Sequence, residues 1–185
     1  MLIPIAIVVF IAIAALLGFA ALKPDTMHVE RSRSIASPPD HIFNLIQDFH
    51  QWSQWSPYDA LDPAMKKTYS GASSGRGAVY EWSGNNKAGA GRMEIVEVFP
   101  AARVRIKLDF SRPFEGHNQS EFILEPIRGE TKVVWAMDGG QPFLFKVMSI
   151  FVNTDNMIGK DFEKGLENLK ALAEQRDAVK GAGSN

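Results

Sequence analysis

The stretch Ala102-Arg103-Val104-Arg105-Ile106-Lys107-Leu108-Asp109-Phe110 decides the fold class. Val104, Ile106, Leu108 and Phe110 take every second place, and Arg103, Arg105, Lys107 and Asp109 take the places between. Successive side chains of a strand point to opposite faces, so this pattern describes a strand with one covered face and one wet face. That is how an antiparallel sheet reads. The same alternation recurs in Ser120, Phe122 and Leu124 against Gln119, Glu121 and Glu125, and in Val133, Trp135 and Met137 against Lys132 and Asp138. Turn residues at Gly71 to Gly77, Ser83 to Gly91, Pro100, Arg112 to Gly116 and Arg128-Gly129 divide the region from Lys66 to Asp138 into a meander of short strands.

Upstream, Met27 to Ile35 reads as a first strand, with Val29, Arg31, Arg33 and Ile35 alternating with His28, Glu30, Ser32 and Ser34. Ser37-Pro38-Pro39-Asp40 is a helix start, and Ile42, Phe43, Leu45, Ile46 and Phe49 then recur at helical spacing. A second short turn carries Trp52 and Trp55 on one face before Pro57 stops it. Downstream of Gly140-Gln141-Pro142, a very apolar run from Phe143 to Val152 leads into a stripe of Ile158, Phe162, Leu166, Leu169 and Leu172. The cap-type residues Asn153, Thr154 and Asp155 leave open whether this is one helix or two. The order predicts an α+β domain in which a curved antiparallel sheet of about seven strands wraps on a long C-terminal helix. Such a pair of layers tends to enclose a cavity. Residues 178–185 read as a disordered tail.

At the other end, Met1 to Leu22 carry no charge. As a helix they would be roughly 33 Å long, enough for a hydrocarbon core of about 30 Å. A cleaved signal needs a basic start and a shorter apolar core, and Gly18-Phe19-Ala20 makes a poor cleavage site. A buried core helix is the third reading. The expected division is a transmembrane anchor over 1–23 and one domain over 24–177. Lys23, Arg31 and Arg33 follow the span, which by the bias of basic residues toward the cytoplasm places a single-pass protein's domain there. With a net charge of −1 there is no electrostatic footprint for nucleic acid, and with no cysteine there is neither a disulfide nor a thiol nucleophile.

Four strings carry a family likeness: Ser37-Pro38-Pro39-Asp40-His41-Ile42-Phe43, Trp52-Ser53-Gln54-Trp55-Ser56-Pro57, Tyr80-Glu81-Trp82-Ser83-Gly84-Asn85, and Ile158-Gly159-Lys160-Asp161-Phe162 running on to Leu169. With the element order, they make the region from Met27 to Gln175 resemble the START-like (SRPBCC) superfamily, in particular bacterial polyketide cyclase/dehydrase and lipid-transport-type proteins. The resemblance implies a helix-grip fold whose long helix closes a deep apolar pocket, and hence a hydrophobic small molecule or lipid as partner. It is specific for fold and poor for reaction. The alternatives it leaves open are a cyclase/dehydrase-type enzyme and a chaperone-like partner of membrane proteins.

By strand parity the pocket residues are Trp82, Val104, Ile106, Leu108, Phe110, Phe122, Leu124, Val133, Trp135 and Met137, facing Ile158, Phe162 and Leu166 from the long helix. The same residues would make an equally good solid core. Met93, Met137 and Met157 suit a loosely specific pocket or an irregular core. Trp52, Trp55 and Tyr58 form a cluster that would serve as a core plug, a cavity lid or a membrane-resting foot. No catalytic residue is assigned. Glu81, Asp109 and His117 are the groups a general acid or base would be drawn from, each of them equally a solvated surface residue. His28, His41, His50 and His117 have no metal-ligand spacing, so no metal and no cofactor is expected. Gly71 to Gly77 lacks the Lys-Ser/Thr ending of a phosphate loop and reads as a hairpin turn.

Overall fold

A computed structural model describes the backbone of residues 2–182 and the side chains of 4–177. The chain runs α1 (Leu2–Ala21), β1 (Thr26–Ile35), α2 (Pro39–Ile46), two 3-10 turns (Phe49–Gln54 and Pro57–Leu61), six strands, α3 (Phe143–Phe151) and α4 (Thr154–Ala182). The six strands are β2 (Lys66–Gly71), β3 (Ala78–Ser83), β4 (Ala90–Phe99), β5 (Arg103–Arg112), β6 (Gly116–Ile127) and β7 (Glu130–Gly140). They join β1 in one seven-stranded antiparallel sheet of order β1-β7-β6-β5-β4-β3-β2. The α+β helix-grip arrangement expected from the sequence is therefore the one found. Irregularities in the β4–β5 register at Ala90/Gly91 and Ile95/Glu97 are of the kind that bends a strand and raises its twist.

The alternation in β5 does what it predicts. Val104, Ile106 and Leu108 are buried on the inner face, while Arg105 on the outer face pairs with Glu97 at 2.7 Å and Glu121 at 3.0 Å. Against the inner face pack Ile42, Phe43, Leu45 and Ile46 of α2 and Phe162, Leu166, Leu169 and Ala173 of α4. The indole N–H of Trp52 donates to the carbonyl of Ile46 at 2.8 Å and that of Trp55 to Leu45 at 3.3 Å. Both acceptors lie in the last turn of α2, where carbonyls have no partner within the helix. The two tryptophans thus close α2 from below and are buried, at 7% and 1% exposure. This corrects the membrane-foot alternative, since neither ring can reach a headgroup layer.

Helix α4 lies along β1. On this edge strand the inward arginines, which a packed interior would not tolerate, reach carboxylates of α4: Arg31 meets Asp155 at 3.0 Å and Glu163 at 2.9 Å, and Arg33 meets Glu167. Gly165 in the middle of α4 is explained by the sheet below it. A Cβ there would lie 2.6 Å from Cζ3 of Trp135 and 3.1 Å from Cδ of Pro57. Gly165→Ala is therefore expected to destabilise by about 1–3 kcal/mol in denaturant titrations, because overpacking outweighs the ~1 kcal/mol that alanine gains in helix propensity. A net gain in stability would show that α4 does not seat this closely.

The C-terminal segment restarts: Val152 is extended and separates α3 from α4. Of the tail expected over 178–185, the backbone is helical as far as Ala182, and residues 183–185 lie outside the described residues. Helix α1 is apolar, and residues 4–21 are long enough to cross a membrane, a test that a signal sequence also passes. Ala20 is buried and most of the other described α1 side chains are exposed.

Candidate functional site

The core is not filled throughout. Between the sheet and the start of α4 lies a cavity of about 620 Å³. The sheet supplies Tyr80 and Trp82 of β3, Met93 of β4, Leu108 and Phe110 of β5, and Trp135 and Met137 of β7. Ile158 and Phe162 of α4 form the opposite wall, and Phe49, Trp52 and Tyr58 of the 3-10 turns close one side. Phe114 of the β5–β6 loop, Phe145 and Met148 of α3, and Met157 add to the apolar lining, while Asp59, Arg112, Glu115, Asn118 and Gln141 bring polar side chains to it. Trp82 lies over β4 because position 91 is glycine: a Cβ there would collide with the indole ring and approach the Asp109 carbonyl at 2.5 Å. Its Nε1–H is spent on the Ala88 carbonyl at 3.0 Å, so the ring offers the cavity an apolar face.

Of the pocket residues read from the sequence, Trp52, Trp82, Leu108, Phe110, Trp135, Met137, Ile158 and Phe162 surround this space. Trp55, Val104, Ile106, Phe122 and Leu124 do not; they sit in the close-packed core where α2 and α4 meet the sheet. The four strand residues among them face the expected side of the sheet and lie away from the cavity. Glu81 is exposed. His117 stands at the rim with its side chain 69% exposed, and its Nδ1 shares a 2.7 Å hydrogen bond with Asp109 across β5 and β6. That bond holds the Asp109 carboxyl below the usual carboxylate range. It is an exposed surface pair.

Two polar groups of the lining went unremarked in the sequence as site candidates in their own right. Tyr58 and Asp161 both face the cavity, and among the described residues neither makes a hydrogen bond or an ion pair. Burial pushes both up, Tyr58 with a further push from the nearby Asp161 charge. The signal was present in the spacing, since Asp161 falls between Ile158 and Phe162 on the apolar stripe. Ser120, by contrast, is consumed: its hydroxyl donates to the Ala136 carbonyl at 3.1 Å and accepts from Trp135 Nε1 at 2.9 Å. Among the described residues, no three His, Asp or Glu side chains converge as a metal site.

The raised Asp161 pKa has a measurable sign. The folded state holds this proton more tightly than the unfolded chain, so stability is lost as pH rises from about 4 through the raised pKa. Asp161→Asn is expected to raise Tm by about 1–4 °C at pH 7, with the difference closing below about pH 4. Thermal melts at the two pH values check it, and an unchanged difference between them would mean that Asp161 is fully solvated.

Fold and cavity together define a class: helix-grip domains in which a long helix closes an apolar chamber over a curved sheet. The chain belongs to the family described as "Polyketide cyclase / dehydrase and lipid transport", whose sequence profile matches residues 26–174. Among solved structures it is similar to protein MLL2253 of Mesorhizobium loti, with 17% identity and a TM-score of 0.60 over 80% of this chain and 98% of that one. It is similar also to protein CV1439 of Chromobacterium violaceum, with 16% identity and a TM-score of 0.57 over 82% and 99%. A third is the Aha1 dimer of Colwellia psychrerythraea, with 15% identity and a TM-score of 0.56 over 80% and 96%. At these identities the likeness is one of fold. No curated protein sequence matches.

Proposed function

We propose that this protein is a membrane-tethered binding module for a hydrophobic small molecule or lipid, held in the chamber between sheet and α4. In this reading residues 1–23 are the anchor and 24–177 the binding domain, on the cytoplasmic side by the positions of Lys23, Arg31 and Arg33. One observation carries it: a chamber of about 620 Å³, within the roughly 300–1,000 Å³ range of small-molecule sites, opens in a core that is otherwise closely packed. Its walls are mainly aromatic rings, methionines and leucine, so burial of apolar surface is the main driving force. A ligand hiding roughly 300 Å² gains on the order of 7 kcal/mol before the costs of association. Tyr58 and Asp161, lining groups that make no hydrogen bond among the described residues, would help to orient it.

Mass spectrometry of small molecules that co-purify with the full chain tests the reading. Repeated recovery of an apolar compound at near-equal molar amount is expected. Recovery of none, together with no uptake of a neutral fluorescent probe, overturns it.

A further inference from the structure

Helix α3 is an unusual surface helix. Of its nine residues only Lys146 and Ser149 are polar. Both are used by the linker that follows α1: Lys146 pairs with Asp25, and Ser149 accepts from the Lys23 ammonium through its carbonyl at 2.8 Å and its hydroxyl at 3.0 Å. Asp25 further accepts the Gln141 N–H at 2.7 Å through its carbonyl, and α1 itself packs on α3. What α3 turns outward is therefore wholly apolar. Phe143 is 49% exposed, Leu144 54% and Phe151 73%. A contiguous patch of this kind on a soluble surface marks an interaction site.

We propose that α3 lies in the plane of the bilayer interface beside the point where α1 leaves the membrane, and forms the membrane-side lip of the cavity. The inference rests on the tethered-binder reading. The occupant follows from continuity: the patch is pinned by side-chain contacts to the linker at the end of α1, which among the described residues is the one helix long and apolar enough to span a bilayer. A helix with large apolar residues outward and its polar residues bound inward is satisfied by lipid and not by water. The opposite side of α3 already belongs to the chamber, through Phe145, which packs edge-on against Phe114 at 5.5 Å. A molecule passing between acyl chains and chamber at this lip need never cross open water.

The absence of cysteine makes the test direct. Ile11→Cys, Leu144→Cys and Phe151→Cys are made singly in the full chain, labelled with an environment-sensitive fluorophore and reconstituted into phosphatidylcholine vesicles. Acyl-chain nitroxide lipids should quench all three, and aqueous iodide should quench none of them well. Quenching at Ile11 by lipid and at positions 144 and 151 by iodide alone overturns the α3 proposal and leaves the tether standing. Iodide quenching at all three positions overturns both. Shielding of positions 144 and 151 from both quenchers overturns the proposal in favour of a protein covering the patch. As a functional readout, Leu144→Asp with Phe151→Asp should slow transfer of N-phenyl-1-naphthylamine from vesicles by about tenfold or more, with its equilibrium affinity for the chamber unchanged. Equal transfer rates would overturn the lip.

Discussion

Trp135→Ala is expected to lower the unfolding free energy by about 3–5 kcal/mol, the largest effect of any single truncation in this domain. The ring lies flat on Phe162 of α4, with centroids 4.1 Å apart and planes 7° apart, and stacks at 4.8 Å on Phe122 of β6. Trp52, Trp55 and Tyr58 meet it edge-on at 6.4, 5.8 and 6.5 Å. One side chain therefore joins three layers: the sheet, the 3-10 turns and α4. Its removal leaves a void that the packed neighbours cannot fill, two of them, Trp52 and Trp55, being held by their own indole N–H bonds. Urea titrations followed by far-UV circular dichroism measure the loss. Trp135→Phe should cost less than half as much, since a phenyl ring keeps both stacks. A loss below about 1 kcal/mol in Trp135→Ala would mean that α4 and the sheet do not unfold as one unit.

The second large effect is on binding. Leu108→Lys is expected to reduce affinity for a neutral apolar probe by about 100-fold or more, because an ammonium in the chamber must be stripped of water before an apolar group can take its place. Leu108 lines the chamber with 9% of its surface exposed, and its strand neighbours Val104 and Ile106 stay in the filled core. The lysine stem can follow the chamber wall and keep its charge in cavity water, so the fold should survive with an unchanged dichroism spectrum. Undiminished binding in a folded variant would place the ligand elsewhere.

These two residues also show how far the sequence could be read. The alternation from Ala102 to Phe110 identified strand, face and partner sheet, because side-chain period is a local property of the backbone. It could not separate Leu108, which borders empty space, from Ile106 two residues earlier, which does not. That difference is set by where α4 lies over the sheet, a matter of tertiary geometry. The same geometry sets Phe122 and Leu124 in the packed core, away from the cavity. The cap residues Asn153 to Asp155 signal the break at Val152 without deciding it, since a cap describes a possible start and not whether the preceding turn has already ended. Lys146 gave no local hint of its role. Its partner, Asp25, is 121 positions away.

Only four residues, Leu22 to Asp25, separate α1 from β1. Even fully stretched they reach roughly 14 Å, and their side chains are already committed in part to α3. With α1 seated in a bilayer, the domain cannot swing out to visit a distant compartment or exchange cargo with a freely diffusing acceptor at arm's length. In the proposed tethered arrangement its search would be confined to two dimensions, and whatever receives the bound molecule would have to be carried by, or come to, the same leaflet.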